Sequence, residues 1–403
     1  MLSVQQAKLS ILNLIAPLDF IHIPISDSLN YTIANDIFSP IDLPPFPQSS
    51  MDGYAFAFKS LHTHQSLEVK HIIAAGDDLS YTIQEGEAVR IFTGAPIPPG
   101  ADTVVMQEKT TIKAGSLFIL DTLLTKAANY RNKGSEIKAG DLALPKGTKI
   151  GPAAIGFLAS MGIADVDVYR NPSVSILVTG DELSSIGTPL HHGQVYDSNS
   201  YTLIAAFKQA GISDIRIHHI PDQIDVLKKT MEEALHQTNM LVLTGGVSVG
   251  DFDFVTTAAE SIGIKTIFYK IKQKPGKPMY FGTYESVSDK YENHNSKFVF
   301  GLPGNPASVL TCFYEYIEPS LKKMAGSLSA VKTLQAPITA VYKKPAGLTH
   351  FLKAMYDGQE VTPLDAQESF RLKSFAKANA LIVVSEEVTE LIPGQSVEVH
   401  VLP

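Results

Sequence analysis

The chain has 403 residues, 44% of them hydrophobic and 18% charged, with a formal net charge of −8. That length exceeds one ordinary core and predicts roughly two to four domains. The acidic balance excludes a basic nucleic-acid footprint, so any bound anion needs a local positive site. The single Cys312 excludes an internal disulfide and a thiolate zinc cluster. Its apolar surroundings predict a buried structural thiol. No apolar run approaches membrane-spanning length, and the N-terminus lacks a basic segment followed by a continuous apolar core. A cytoplasmic location is expected.

Ser3-Val4-Gln5-Gln6 reads as a capping box opening a helix over 3–16, with Leu9, Leu12 and Ile15 near one face and Pro17 ending it. Residues 40–50 are proline-dense and read as a linker. From Tyr54 to about Asp141, short alternating runs at 67–73, 88–92, 103–107 and 117–120 are separated by glycines, which predicts a β-rich module. Residues 151–162 predict a helix with Pro152 at its first position and Gly162 just past its end. From about Asn171 to Gly326 strands and helices alternate. Strands are expected at 174–178, 215–219 and 241–243. Helices are expected at 198–209, at 224–235, from the Gly245-Gly246 loop through Ile262, and at 306–323. This pattern predicts a mostly parallel sheet with helices on both faces. The tail returns to strands at 338–342, 381–384 and 397–401, read as a small β-barrel or sandwich. There is no internal repeat or low-complexity tract.

Three loops adjoin short apolar runs: TGGVSVGDFD at 244–253, KPGKP at 274–278 and GLPGNPAS at 301–308. Loops with free backbone N–H groups at strand ends form anion-binding rims. Three glycines at 245–250 exceed what a simple turn requires, which favours a phosphate cradle. The loop is not a Walker A sequence, since no Gly-Lys-Ser/Thr ends it, and its glycine spacing is not the Rossmann fingerprint. Lys274 and Lys277, stiffened by Pro275 and Pro278, read either as a two-lysine anion clamp or as solvated turn lysines. Asp52-Gly53 reads as an ordinary turn or as an exposed carboxylate on a rigid loop. Thr93-Gly94 reads as a hairpin or as a hydroxyl offered to a ligand. Asp181 and Glu182 follow a buried strand, where acids serve a helix N-terminus, acid–base work or magnesium. Asp197, Ser198 and Asn199 read as helix caps. The pairs His191-His192 and His218-His219 read as surface or rim histidines, because strand neighbours face opposite ways.

Taken together and in order, SSMDGYA, FTGAPIPPGADTVVMQE, TGDEL, GQVYDSN, TGGVSVGDFD, KPGKP and GLPGNPAS resemble the molybdopterin molybdenumtransferase family of the MoeA type, which includes the E domain of gephyrin. The likeness covers roughly residues 1–325, with a weaker match in the tail. It implies a multidomain α/β fold. A central doubly wound α/β domain of the molybdopterin-binding type spans 172–326. An extended helical N-terminal domain spans 1–45 plus 141–171, an inserted β-rich domain 46–140, and a C-terminal β-domain 327–403. It also implies a homodimer whose active site is shared across subunits, with Asp52 and Thr93 acting across the interface, and molybdopterin adenylyltransferase as a partner. Neither nucleic acid nor membrane is implied.

The implied reaction takes adenylylated molybdopterin and molybdate as substrates, uses Mg2+, and yields molybdenum cofactor plus AMP. The resemblance places functional acids at Asp52, Glu182, Asp222 and Asp253, with Asp222, Asp253 and Glu182 as metal ligands. Substrate binding falls on Thr93, Asp181, Gly245, Gly246, Ser248, Gly250, Lys274, Lys277, Pro278, Pro303, Asn305, Pro306 and Ser308. An alternative reading keeps the fold as a catalytically weak molybdopterin-binding or scaffold protein. A molybdopterin adenylyltransferase is disfavoured by the inserted β module, MDGYA and the C-terminal domain.

The chain also departs from the family. A tail pattern Gly-Arg-x-x-Phe-x-Arg reads here Gly347-Leu348-Thr349-His350-Phe351-Leu352-Lys353, so lysine replaces the planar fork of the second arginine. Ser135-Glu136 stands where Glu-Asp is usual, and Asp222-Gln223 replaces Asp-Asp.

Overall fold

The computed structural model describes residues 1–78, 81–245, 252–285, 296–327 and 331–403, the side chains of 252–254 excepted. The chain divides into two compact units, one of Ile23–Leu29 and Asn35–Val166, the other of Met1–His22, Asn30–Ala34 and Asp167–Pro403.

The smaller unit holds a six-stranded sheet in the order Thr103–Met106, Gly53–Phe56, Glu87–Ile91, Leu67–Ile73, Ser116–Ile119 and Thr110–Lys113. Both faces are covered, and the alternation shows it. Ala55, Val89 and Val104 enter one apolar cluster, while Phe56, Ala88 and Val105 enter another. Gly53 is demanded by close packing, since a Cβ there would lie 1.8 Å from the Val105 carbonyl oxygen. The helix Pro152–Ser160 starts on its proline, and Gly162 follows at φ +75°.

In the larger unit, the strand order is Ile215–Ile220, Val174–Thr179, Met240–Thr244, Ser296–Gly301, Pro278–Glu285 and Lys265–Lys270. The first four are parallel, and the last two add antiparallel pairings. Period-two burial puts Ile176, Val242 and Phe300 into one core with the helices Asn199–Gln209 and Pro306–Cys312. Leu177, Leu241 and Val299 enter the other, with Ile224–Gln237 and Phe252–Ser261. Continuous apolar strands thus carry helices on both faces. Cys312 is fully buried, and burial pushes its thiol up to about 12. No described helix is long and apolar enough to cross a membrane.

Three local expectations change. The N-terminal helix is Val4–Leu14, with the capping box formed, but Leu9 is 52% exposed. The buried stripe is Ala7, Ile11 and Ile15, a spacing of four that follows the inner face more closely than spacing of three. The single helix expected at 306–323 is instead an α-helix Pro306–Cys312, a π segment Phe313–Ile317 and an α-helix Glu318–Met324. Pro319 has no N–H for the Glu315 carbonyl, so the regular ladder cannot run through it. The strand expected at 338–342 is broken by a bend at 339–340, with Ile338 in a parallel bridge to Val361 and strands Thr333–Pro337 and Tyr342–Lys343 on either side.

The C-terminal sheet runs Gln273–Lys274, Thr349–Tyr356, Ala380–Val384, Ser396–Val401 and Thr333–Pro337. Its edge strand comes from the lysine loop: Gln273 and Lys274 pair in parallel with Thr349 and His350.

Candidate active site

Val174–Thr179 has Ile215–Ile220 on one side and Met240–Thr244 on the other. The chain reverses its direction of strand addition there, and the loops leaving the carboxyl ends part to open a crevice. A cavity of about 750 Å³ lies at this point. Thr179 and Glu182 reach it after the central strand, Asp222 after its neighbour, and Thr244 and Gly245 after the third. Pro278, Pro303, Asn305 and Pro306 complete the far wall. The volume suits a small-molecule site, for which about 300–1,000 Å³ is usual.

Glycine makes the crevice possible. Gly245 has φ +83°, and a Cβ on it would lie 2.1 Å from the Thr179 carbonyl oxygen. Gly180 has φ +143°, and the Glu182 carboxylate folds close over it. Glu182 and Asp222 are exposed, and neither carboxylate makes a hydrogen bond or ion pair with a described residue. Among the described residues, they are the two carboxylates left open at this cavity.

Asp197 behaves differently. It lines the cavity yet is only 5% exposed. Its Oδ1 accepts the Ser200 backbone N–H at 3.0 Å, capping the next helix, and its other oxygen meets the Ser200 hydroxyl and, at 3.1 Å, His219 Nε2. Burial alone would raise its pKa, but these donors hold it below the ordinary value. Asn199, beside it, donates from Nδ2 to the Gly304 carbonyl at 2.8 Å and to Thr244 Oγ1 at 3.1 Å, tying two cavity loops together. Sequence reasoning marked Asp197 and Asn199 only as caps. They also fall in the GQVYDSN stretch of the family resemblance, but a polar run before a helix does not show that it ties two cavity loops together.

The KPGKP loop is held from inside. Gln273 Nε2 donates to the carbonyls of Pro275 at 3.1 Å and Gly276 at 3.2 Å, and Tyr316 holds Gln273 Oε1. Gly276 has φ +87°, with space for a Cβ closed by Cys312 Sγ at 2.7 Å. The buried frame leaves Lys274 and Lys277 exposed. Lys274 lines a second cavity, of about 520 Å³, with Tyr342, His350, Gln367 and Ser369. Burial, reinforced by Lys344 and Lys274, pulls His350 down to about 4, so it is neutral at pH 7. Tyr342 bonds its Nδ1 at 2.7 Å.

In the smaller unit, Asp52 and Thr93 are brought together. The Thr93 backbone N–H and hydroxyl both donate to Asp52 Oδ1 at 2.8 Å. The backbone bond first, then the hydroxyl, holds Asp52 below its ordinary pKa. The pair is exposed.

Of the other expected residues, Asp181 is exposed beside Glu182 but is not among the cavity-lining residues, and Ser308 is 2% exposed. Asn305 does not cap its helix through its side chain, because its amide is turned to Ser369 Oγ at 2.9 Å. Gly246, Ser248 and Gly250, and the side chain of Asp253, lie outside the described residues. Among the described residues no three or more His, Cys, Asp or Glu side chains converge as a metal cage.

Three family profiles match the chain in order: the MoeA N-terminal region (domain I and II) over residues 2–162, the probable molybdopterin binding domain over 175–323, and the MoeA C-terminal region (domain IV) over 335–402. A Haemophilus influenzae protein named molybdopterin molybdenumtransferase is 34% identical, covering 99% of this chain and 98% of its own length. A Nostoc protein of the same name is also 34% identical, covering 92% and 86%. The crystal structure of a molybdopterin biosynthesis MoeA protein from Pyrococcus horikosii superposes with a TM-score of 0.82 at 28% identity, covering 100% of this chain and 99% of that one.

Proposed function

The chain belongs to the MoeA family, and from that premise we propose that it inserts molybdenum from molybdate into adenylylated molybdopterin, releasing AMP with the help of magnesium. The observation that carries this reading is the switch-point cavity with its two open carboxylates, Glu182 and Asp222. Folding has given these acids no partner among the described residues, as expected where the partner is a ligand.

The donor set fits magnesium. A hard cation of this kind is held by one or two carboxylates and completes its shell with phosphate oxygens and water. Glu182 and Asp222 would hold it, with Asp253 as a third donor. Bound there, it supplies charge neutralisation at the phosphate oxygens as the adenylate is cleaved. The remaining work belongs to the chain. The glycine loop of Gly245, Gly246, Ser248 and Gly250 would cradle phosphate through backbone N–H groups. Molybdate, a tetrahedral dianion, would be drawn to Lys277 and the backbone at Pro278, with Lys274 adding charge; Ser308, being buried, would contribute only from within the wall. Asp181, Pro303, Asn305 and Pro306 would shape the substrate's seat.

The reading includes a cytoplasmic homodimer, in which the exposed Asp52–Thr93 pair of one subunit completes the partner's site, and an adenylyltransferase that supplies the substrate. It divides the chain into domains at 1–45 with 141–171, 46–140, 172–326 and 327–403. The second reading, a molybdopterin-binding protein of weak turnover, is favoured by one observation: Lys353 is turned into the protein and is unavailable to an oxyanion. The test is molybdenum incorporation. Protein incubated with adenylylated molybdopterin, magnesium and molybdate should yield a pterin fraction that carries molybdenum. Retention of intact adenylylated pterin would replace the transferase with the binding protein.

A further inference from the structure

We propose that Lys353 is a positioning residue that locks the 364–371 loop into a latch, and that this latch holds the Asn305–Ala307 rim of the main cavity. The inference rests on the transferase reading only for its effect on kinetics; the latch itself is a property of the fold.

Lys353 lies on the strand Thr349–Tyr356 and is 3% exposed. Its Nζ donates to the carbonyls of Ala366 at 2.7 Å, Arg371 at 3.0 Å and Glu368 at 3.3 Å. An ammonium has three donors, and all three are used on backbone. It therefore has none left for an oxyanion. Two other side chains close the same loop. Gln367 accepts the Lys353 backbone N–H at 3.0 Å and donates to the carbonyls of Lys353 and Leu364 at 2.8 and 2.7 Å. Ser374 donates its hydroxyl to the carbonyl of Ala366 at 2.9 Å.

The far side of this loop touches the cavity wall. The Ser369 carbonyl accepts the Ala307 N–H at 3.0 Å, and Ser369 Oγ accepts the Asn305 amide at 2.9 Å. Ala307 is in the first turn of Pro306–Cys312, where backbone N–H groups have no partner inside the helix. The latch supplies that partner. Asn305 and Pro306 line the main cavity, so a shift of Ser369 shifts the substrate's seat. The chain of contacts runs from Lys353 to three carbonyls, to Ser369, and on to the rim.

Lys353→Met takes the shared ammonium away from three carbonyls, leaving Ala366 and Arg371 only the Ser374 hydroxyl and Glu368 only the Arg371 N–H, and Lys353→Arg returns a cationic donor to them. Two readouts in the full chain test the idea. The first is hydrogen exchange at the Ala307 amide, which needs no turnover. Lys353→Met should speed it about tenfold and Lys353→Arg should restore protection. The second is kinetics of AMP release. Lys353→Met should raise KM for adenylylated molybdopterin about tenfold with kcat changed less than about threefold. Unchanged Ala307 exchange in Lys353→Met overturns the proposal. So does a rise in KM for molybdate alone, which would make Lys353 an oxyanion ligand. Should Lys353→Met fail to fold, Ser369→Ala carries the test. It removes only the Asn305 contact and should speed Ala307 exchange about threefold, and no change would again overturn the latch. If the chain has no turnover at all, the exchange result still decides the latch, and the transferase reading fails separately.

Discussion

Two groups of charged side chains in the larger unit use the same residue types in opposite ways. Glu315 is completely buried, with Lys8 on one oxygen and His400 Nδ1 on the other at 2.7 Å, and Glu398 meets His400 Nε2 at 2.8 Å. Every charge there is answered within the chain. At the switch-point cavity Glu182 and Asp222, and on the KPGKP loop Lys274 and Lys277, are exposed, and their side chains make no hydrogen bond or ion pair to a described residue. The buried network joins the N-terminal helix, the π segment and the last strand. It fixes a unique arrangement more than it adds net stability, because desolvation offsets much of the attraction. The open group adds nothing to folding and is left for a ligand. Charges that folding does not use are the more informative guide to function.

The sharpest way to break this comparison is to remove one charge from each group. Glu315→Ala removes the buried carboxylate from between His400 and Lys8, leaving His400 only Glu398 and Lys8 unpaired at a partly exposed position, and should destabilise the protein by about 3 kcal/mol, measured by denaturant unfolding. Asp222→Asn should leave unfolding within about 0.5 kcal/mol of the parent and lower AMP release by about 10²–10³. Equal losses of stability in both variants would erase the distinction. Gly245→Ala tests the crevice itself. Its Cβ would meet the Thr179 carbonyl at 2.1 Å in a backbone of φ +83°. It should cost about 1–3 kcal/mol and also weaken substrate binding, read by titration with adenylylated molybdopterin.

Proton linkage sharpens the comparison further. Burial would depress His400, but Glu315 holds it above its ordinary 6.5, while burial would raise Glu315 and His400 with Lys8 hold it below 4.5. A raised histidine contributes stability that is complete below 6.5 and lost as pH rises through its folded value. A depressed glutamate contributes stability that is present above 4.5 and lost as pH falls through its folded value. The network should therefore be at full strength between 4.5 and 6.5. Melting temperature against pH should show this plateau, and His400→Gln should flatten its alkaline limb. The smallest effect belongs to the surface. Thr93→Val removes one of two donors to Asp52, and the Asp52 titration followed by NMR should move back up toward its ordinary value.

Much of this was legible in the sequence, and the reasons are specific. Val174–Thr179 and Met240–Thr244 are continuous apolar runs buried on both faces, so their pattern and position announced them. Glu182, Gly245, Pro303 and Asn305 were visible because they follow such runs directly. Asp222 was visible only through the family resemblance. Its Pro221-Asp222-Gln223 setting reads as a plain turn. The antiparallel edge of the main sheet was not legible, because Lys265–Lys270 and Pro278–Glu285 pair through shifts of register that no local pattern encodes. Leu9 misled because propensity does not say which face a helix buries. The role of Lys353 was not legible, because the sequence shows only a lysine in place of a family arginine, and only tertiary structure places three carbonyls around it.

The most direct measurement is AMP release from adenylylated molybdopterin by the full chain, with magnesium, in the presence and absence of molybdate, with Asp222→Asn alongside. The account predicts molybdate-dependent release that collapses in the variant while the variant stays folded. Release that ignores molybdate, or that survives unchanged in Asp222→Asn, would contradict it.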